Sequence, residues 1–131
     1  MAGISARHFL DGGGKMAVAI REYDWAASSL GPLDDWPASL KTAVGMMLSS
    51  KFPKCITWGP DLVTLYNDAF RPILGDKPEA LGRPYPEVWH EVWDTVGPIA
   101  EKAYAGEATF IEDFPLVVDR YDYPEQAYFT F

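Results

Sequence analysis

The side chains equipped for chemistry are one cysteine, two histidines and nineteen carboxylates. Cys55 stands alone, which excludes an intrachain disulfide and a cysteine-based zinc site. His90-Glu91 has no second histidine four residues on, so it is not a zinc-binding helix motif. Glu112 and Asp113 are adjacent on an expected strand and face opposite ways, so they cannot share acid–base work. Glu87, Glu91 and Asp94 lie close together without a nucleophile or base beside them, and read as a solvated acidic face. Gly12-Gly13-Gly14 follows no strand and is not a phosphate loop.

The aromatic residues carry more information. They make up 15% of 131 residues. Trp58, Tyr66, Phe70, Trp89, Trp93, Phe110 and Phe129 fall on expected strands and helices. They either fill a core of rings or line a small-molecule pocket. Net charge is −8, which argues against nucleic acid and anionic membrane as partners. The charge is one-sided: residues 1–60 carry six basic and five acidic side chains, residues 61–131 five and fourteen. No apolar run reaches the roughly 18 residues of a membrane span. The N-terminus lacks a signal pattern, and a cytoplasmic location is expected.

Three regions must position these residues. Residues 1–14, which hold His8 and end in three glycines, are expected to be a flexible leader. Residues 15–52 form a helical extension. Met16, Ile20, Tyr23 and Ala27 make one apolar stripe up to Leu30-Gly31-Pro32. A second helix begins near Asp35-Trp36-Pro37 and buries Leu40, Val44, Met47 and Leu48. Residues 53–131 form the core. Strands are expected at 55–58 and 62–66, joined by a turn at Gly59-Pro60-Asp61. Asn67 or Asp68 then caps a short helix that Gly75 ends. Helical spacing resumes at Val88 and is interrupted at Gly97-Pro98; Asp94 is expected to cap a fresh helix whose first turn holds Pro98 and whose end is Gly106. Strands at 109–118 and 126–131 follow. The fold class is α+β, an antiparallel sheet with helices on one face.

Trp58-Gly59-Pro60-Asp61, Tyr66-Asn67-Asp68-Ala69-Phe70, Gly75 and Leu81-Gly82 resemble the first half of a PAS sensory domain. Leu30-Gly31-Pro32, Trp36-Pro37, Ser39-Leu40 and Met47-Leu48 resemble the helical lead-in of a PAS subgroup found at the front of bacterial sensor histidine kinases. The resemblance covers roughly residues 16–131. It implies a sensory or interaction module of a two-component signalling protein, with no catalysis of its own. It implies that Asn67 tethers the short helix to the strand before it.

A PAS sheet has five strands in the order 2-1-5-4-3. The expected strands supply four, so the last is expected beyond Phe131, in a longer parent chain with an output kinase domain. Haem through His90 and flavin through Cys55 are both disfavoured. His90 lies at a helix boundary without a supporting motif, and Cys55 is in the first strand rather than after the short helix. A homodimer is expected through the N-terminal helices, by Met16, Ile20, Leu40 and Met47, or through an open sheet edge. The alternative is a small α+β cone enzyme of ketosteroid-isomerase type, with Tyr66 or Tyr128 as proton donor and Asp113 as base.

Overall fold

The computed structural model describes residues 8–131. The chain is α+β. Its elements are α1 (Gly14–Glu22), α2 (Ala38–Leu48), β1 (Cys55–Trp58), β2 (Val63–Tyr66), α3 (Arg71–Leu74), α4 (Tyr85–Val88), α5 (Trp93–Tyr104), β3 (Phe114–Val118) and β4 (Glu125–Phe129). Short 3-10 turns lie between several of them. The four strands pair as two separate antiparallel hairpins, β1 with β2 and β3 with β4. The chain divides into two compact units. The first runs from the start of the described residues to Leu74 and adds Glu79–Tyr85; the second holds Gly75–Pro78 and Pro86–Phe131.

In the first unit, α2 buries Leu40, Val44, Met47 and Leu48, the face its sequence spacing marks. Met16 and Ile20 of α1 are buried as well. The four side chains expected to make a dimer contact are therefore covered within the chain, and the exposed large apolar residues of these helices are Val18 and Met46. The apolar stripe from Met16 does not continue to Ala27. α1 stops at Glu22, and Tyr23 turns extended. The Trp25 indole donates to the Ile20 carbonyl at 2.7 Å. It thereby satisfies one of the carbonyls that a helix end leaves open. Trp25 also packs edge-on against Trp36 at 5.1 Å between ring centroids, and the Trp36 indole donates to the Gly31 carbonyl. These two indoles fold the connector between α1 and α2 onto itself.

Residues 8–14 are not a loose leader. Leu10 is buried, and α1 opens on Gly14 itself. The reason lies 54 residues away. The Asp68 carboxylate accepts from the Lys15 amide at 3.1 Å and the Met16 amide at 2.8 Å. A carboxylate on these open N–H groups caps the helix and opposes its positive end. Gly14 has φ +69, and a Cβ there would lie 2.2 Å from the Asp68 carboxylate oxygen. Only glycine meets both conditions. Residues 1–7 of the expected leader lie outside the described residues.

β1 and β2 pair in the register Cys55↔Tyr66 to Trp58↔Val63, across a turn where Gly59 has φ +77. Residues 82–85 run along the second edge of β2: the Thr64 amide donates to the Arg83 carbonyl, the Gly82 amide to the Thr64 carbonyl, and the Tyr85 amide to the Leu62 carbonyl. Every residue of β2 is buried.

In the second unit, α5 runs unbroken through Gly97-Pro98, and Val92 rather than Asp94 precedes its first turn. Proline normally expels the preceding residue from the helical region, because its ring meets that residue's Cβ. Gly97 has none, so the interruption expected at this dipeptide does not occur. Gly106, at φ +98, lies just beyond the helix end. β3 and β4 pair from Phe114↔Phe129 to Val118↔Glu125. Residues 109–113 are not strand, yet Ile111 and Phe131 exchange two backbone hydrogen bonds and prolong the hairpin. Asp113, at φ +51, breaks the ladder between them.

Replacing Asp68 with alanine is expected to cost about 1 kcal/mol, the usual worth of a helix cap. Asp68→Asn keeps an acceptor and is expected to cost less. Urea unfolding of the two variants beside the parent chain measures both.

Candidate functional site

The densest polar junction of the first unit is the Asn67 side chain, which is 2% exposed. Its Oδ1 accepts from the Lys54 amide and from the Phe70 amide, both at 3.1 Å. Its Nδ2 donates to the carbonyls of Met47 at 2.9 Å and Phe52 at 2.8 Å, with a longer contact to Ser50 at 3.3 Å. The Asn67 backbone adds a hydrogen bond from its own amide to the Lys54 carbonyl. One side chain thus joins the end of α2, the entry to β1, the exit of β2 and the short helical turn Asp68–Phe70. The turn forms because Asn67 is extended and can bend its oxygen back to the Phe70 amide. Asparagine alone matches this site at its size: it needs donors for carbonyls and an acceptor for amides.

Next to Asn67, the Tyr66 ring is buried against Phe70, with 5.9 Å between ring centroids. The Tyr66 hydroxyl donates to the Glu79 carboxylate, which also accepts from the Leu81 amide. Burial and the neighbouring carboxylate push the Tyr66 hydroxyl well above the usual phenol range. Burial alone would raise Glu79, but the Tyr66 hydroxyl, the Leu81 amide and the nearby Arg71 charge together hold it below the usual carboxylate value. This pair fastens the 79–81 segment to β2. The Cys55 thiol contacts the Tyr85 hydroxyl at 3.6 Å, and burial pushes its pKa up despite that contact. A thiol held protonated is a poor nucleophile.

The second unit has its own polar junction. Lys77 is 9% exposed and pairs with Glu91 at 2.7 Å. Its ammonium lies 5.1 Å from the Trp89 ring centroid. The Glu91 carboxylate also accepts from the Asp119 amide. Burial opposes the charge on Glu91, yet Lys77 and Asp119 outweigh it and leave the pKa lowered. The Trp89 Nε1 is buried without a hydrogen-bond partner among the described residues, as is Thr64 Oγ1 in the first unit.

The aromatic residues expected around a pocket are distributed as follows. Trp58, Tyr66 and Phe70 belong to the first unit, and Trp89, Trp93, Phe110 and Phe129 to the second. Tyr66, Phe70 and Trp89 are buried; Trp58, Trp93 and Phe129 are half-buried; Phe110 is 73% exposed. Tyr66 meets Phe70, and the Phe129 ring faces the Arg120 guanidinium. Gly59 and Pro60 form the β1–β2 turn. His90 is exposed at the start of a 3-10 turn. Among the described residues no group of three or more His, Cys, Asp or Glu side chains is placed to hold a metal ion, and no helix is long and apolar enough to cross a membrane. Sequence spacing pointed to Asn67 as a local cap. It held no sign of Glu79 or Asp68 as long-range acceptors.

Asn67→Ala removes the side-chain hydrogen bonds to five backbone groups together and is expected to cost more than about 3 kcal/mol. Asn67→Asp is expected to be as damaging near neutral pH, because a carboxylate would face carbonyl oxygens. Thermal unfolding of both variants decides this.

The pH dependence has two arms. Glu79 and Glu91 bind protons less readily in the folded chain than in the unfolded one. Their contribution is complete above pH 4.5, the unfolded value, and disappears as pH falls below it. Tyr66 keeps its proton in the folded chain where the unfolded phenol, at 10.0, has lost it. Its contribution is complete below pH 10.0 and is lost as pH rises above that. Urea midpoints measured against pH should decline on both sides, and Tyr66→Phe should flatten the alkaline decline.

In comparisons with known proteins, no family model, no curated protein and no solved structure matches the chain, so the functional reading rests on its own residues.

Proposed function

We propose that this chain is a PAS-type sensory or interaction module of a bacterial signal-transduction protein, with a histidine kinase as its output. It performs no chemistry itself. It relays ligand or partner binding to a domain outside these residues by shifting the population of its conformations.

The observation that carries this reading is the Asn67 junction. A side chain that binds the strand before it, the short turn after it and the helical extension is the tether that the resemblance implies. The strand pairing supports it too. In the order 2-1-5-4-3, the first four strands pair as one with two and three with four, and those are the pairs present.

The enzyme reading has less support. The Tyr66 hydroxyl is committed to Glu79. Tyr128 and Asp113 are both exposed, which gives no desolvated acid–base pair.

Native mass spectrometry of the purified chain over a range of concentrations, with an absorption spectrum of the same sample, tests the proposal. A reproducible extra mass, a visible absorption band or a concentration-dependent dimer is the expected result. A bare monomer at every concentration would overturn it.

A further inference from the structure

The β3–β4 hairpin has two outer edges, and they differ. Ile111 and Phe131 exchange two backbone hydrogen bonds, so the Phe131 amide and carbonyl point inward, to the other arm of the hairpin. Successive residues of a strand turn these groups to alternate sides. Phe129, Ala127 and Glu125 therefore face inward as well, opposite Phe114, Leu116 and Val118. Gln126, Tyr128 and Thr130 turn their amides and carbonyls outward. None of these three has a backbone hydrogen bond to another segment among the described residues, and all three are exposed. Such a row of unpaired groups is a template for a further strand. The opposite edge is blunted. Its outward positions on β3 are Pro115 and Val117, and Pro115 has no N–H with which to extend a ladder.

Charge selects the strand that fits the open edge. The second unit carries eleven carboxylates against three Lys and Arg. Two of those cations are already paired, Lys77 with Glu91 and Arg120 with Glu125. Over most of this unit, two copies of the chain would meet acid to acid. Residues 126–131 carry no charge, no proline and no glycine, and hold three aromatic rings suited to a strand. From this open, uncharged edge we infer that β4 pairs antiparallel with β4 of a second copy, about a two-fold axis at Tyr128. In that register Tyr128 faces its own counterpart, Gln126 faces Thr130 and Ala127 faces Phe129. The outward amides and carbonyls of Gln126, Tyr128 and Thr130 all find partners. Glu125 falls opposite Phe131, so no two carboxylates of the paired strands meet. The contact is the same on both copies and closes on itself. It uses only the hairpin of the second unit and does not depend on the sensory reading.

Sedimentation equilibrium over a range of concentrations tests the inference, with a concentration-dependent dimer as the expected result. Tyr128→Pro removes one outward N–H and no hydrogen bond of the hairpin, and should abolish the dimer. Tyr128→Glu and Tyr128→Lys each set like charges face to face across the axis, and should each weaken association by about tenfold. An equimolar mixture of those two variants sets Glu against Lys and should recover it. Tyr128 is 64% exposed, so the circular dichroism and thermal unfolding of the Glu and Lys variants should match the parent's at concentrations where the parent is monomeric. A monomer at every concentration, a dimer that the Glu and Lys variants leave intact, or a mixture that associates no better than its components would overturn the inference.

Discussion

The first unit depends on a single buried amide. Asn67 offers two hydrogens and one carbonyl oxygen, and the chain surrounds it with backbone groups of the opposite kind. Those groups come from the end of α2, the entry to β1 and the turn after β2. Removing the amide would break all of these hydrogen bonds at once, those to the Met47 carbonyl and from the Phe70 amide being buried, and the loss of buried hydrogen bonds is costly. Asp68, the next residue, points the other way and holds the start of α1. Two consecutive side chains therefore set the placement of both N-terminal helices against the first hairpin. A change at either one is felt in segments far away in sequence.

The carboxylates show a related economy. The chain carries a net charge of −8, yet the half-buried Glu91 and Glu125 and the more exposed Glu79 are each supplied with donors. Glu79 takes the Tyr66 hydroxyl and the Leu81 amide. Glu91 takes the Lys77 ammonium and the Asp119 amide. Glu125 takes the Arg120 guanidinium. Tyr66 with Glu79, and Lys77 and Asp119 with Glu91, join separate segments, so these two carboxylates act as ties between them; Arg120 and Glu125 close one hairpin.

Much of the fold was legible in local patterns. The four apolar positions of α2 recur at helical spacing and are the four that are buried. The alternation at 55–58 and 62–66, with Gly-Pro between, specifies a hairpin, and β1–β2 is that hairpin, with Leu62, at φ +50, in the turn rather than the strand. Glycine beyond Tyr104 marks the end of α5. Asn67 is readable because capping acts over three residues. Such signals survive in sequence because the interactions behind them join near neighbours.

Other features were decided only when distant segments met. Three glycines in a row predict looseness, yet Gly14 is required by a carboxylate 54 residues on. The apolar stripe of α1 predicts a helix to Ala27, but the Trp25 indole takes the Ile20 carbonyl and ends it at Glu22. Met16, Ile20, Leu40 and Met47 looked like surplus apolar surface for a partner, and the unit's own packing covers them. Amino-acid type and spacing determine which stretches can be helix or strand, because backbone geometry repeats over a few residues. They do not determine which carbonyl a given indole or amide will reach. That choice is made by the folded chain, where groups far apart in sequence compete for the same few partners.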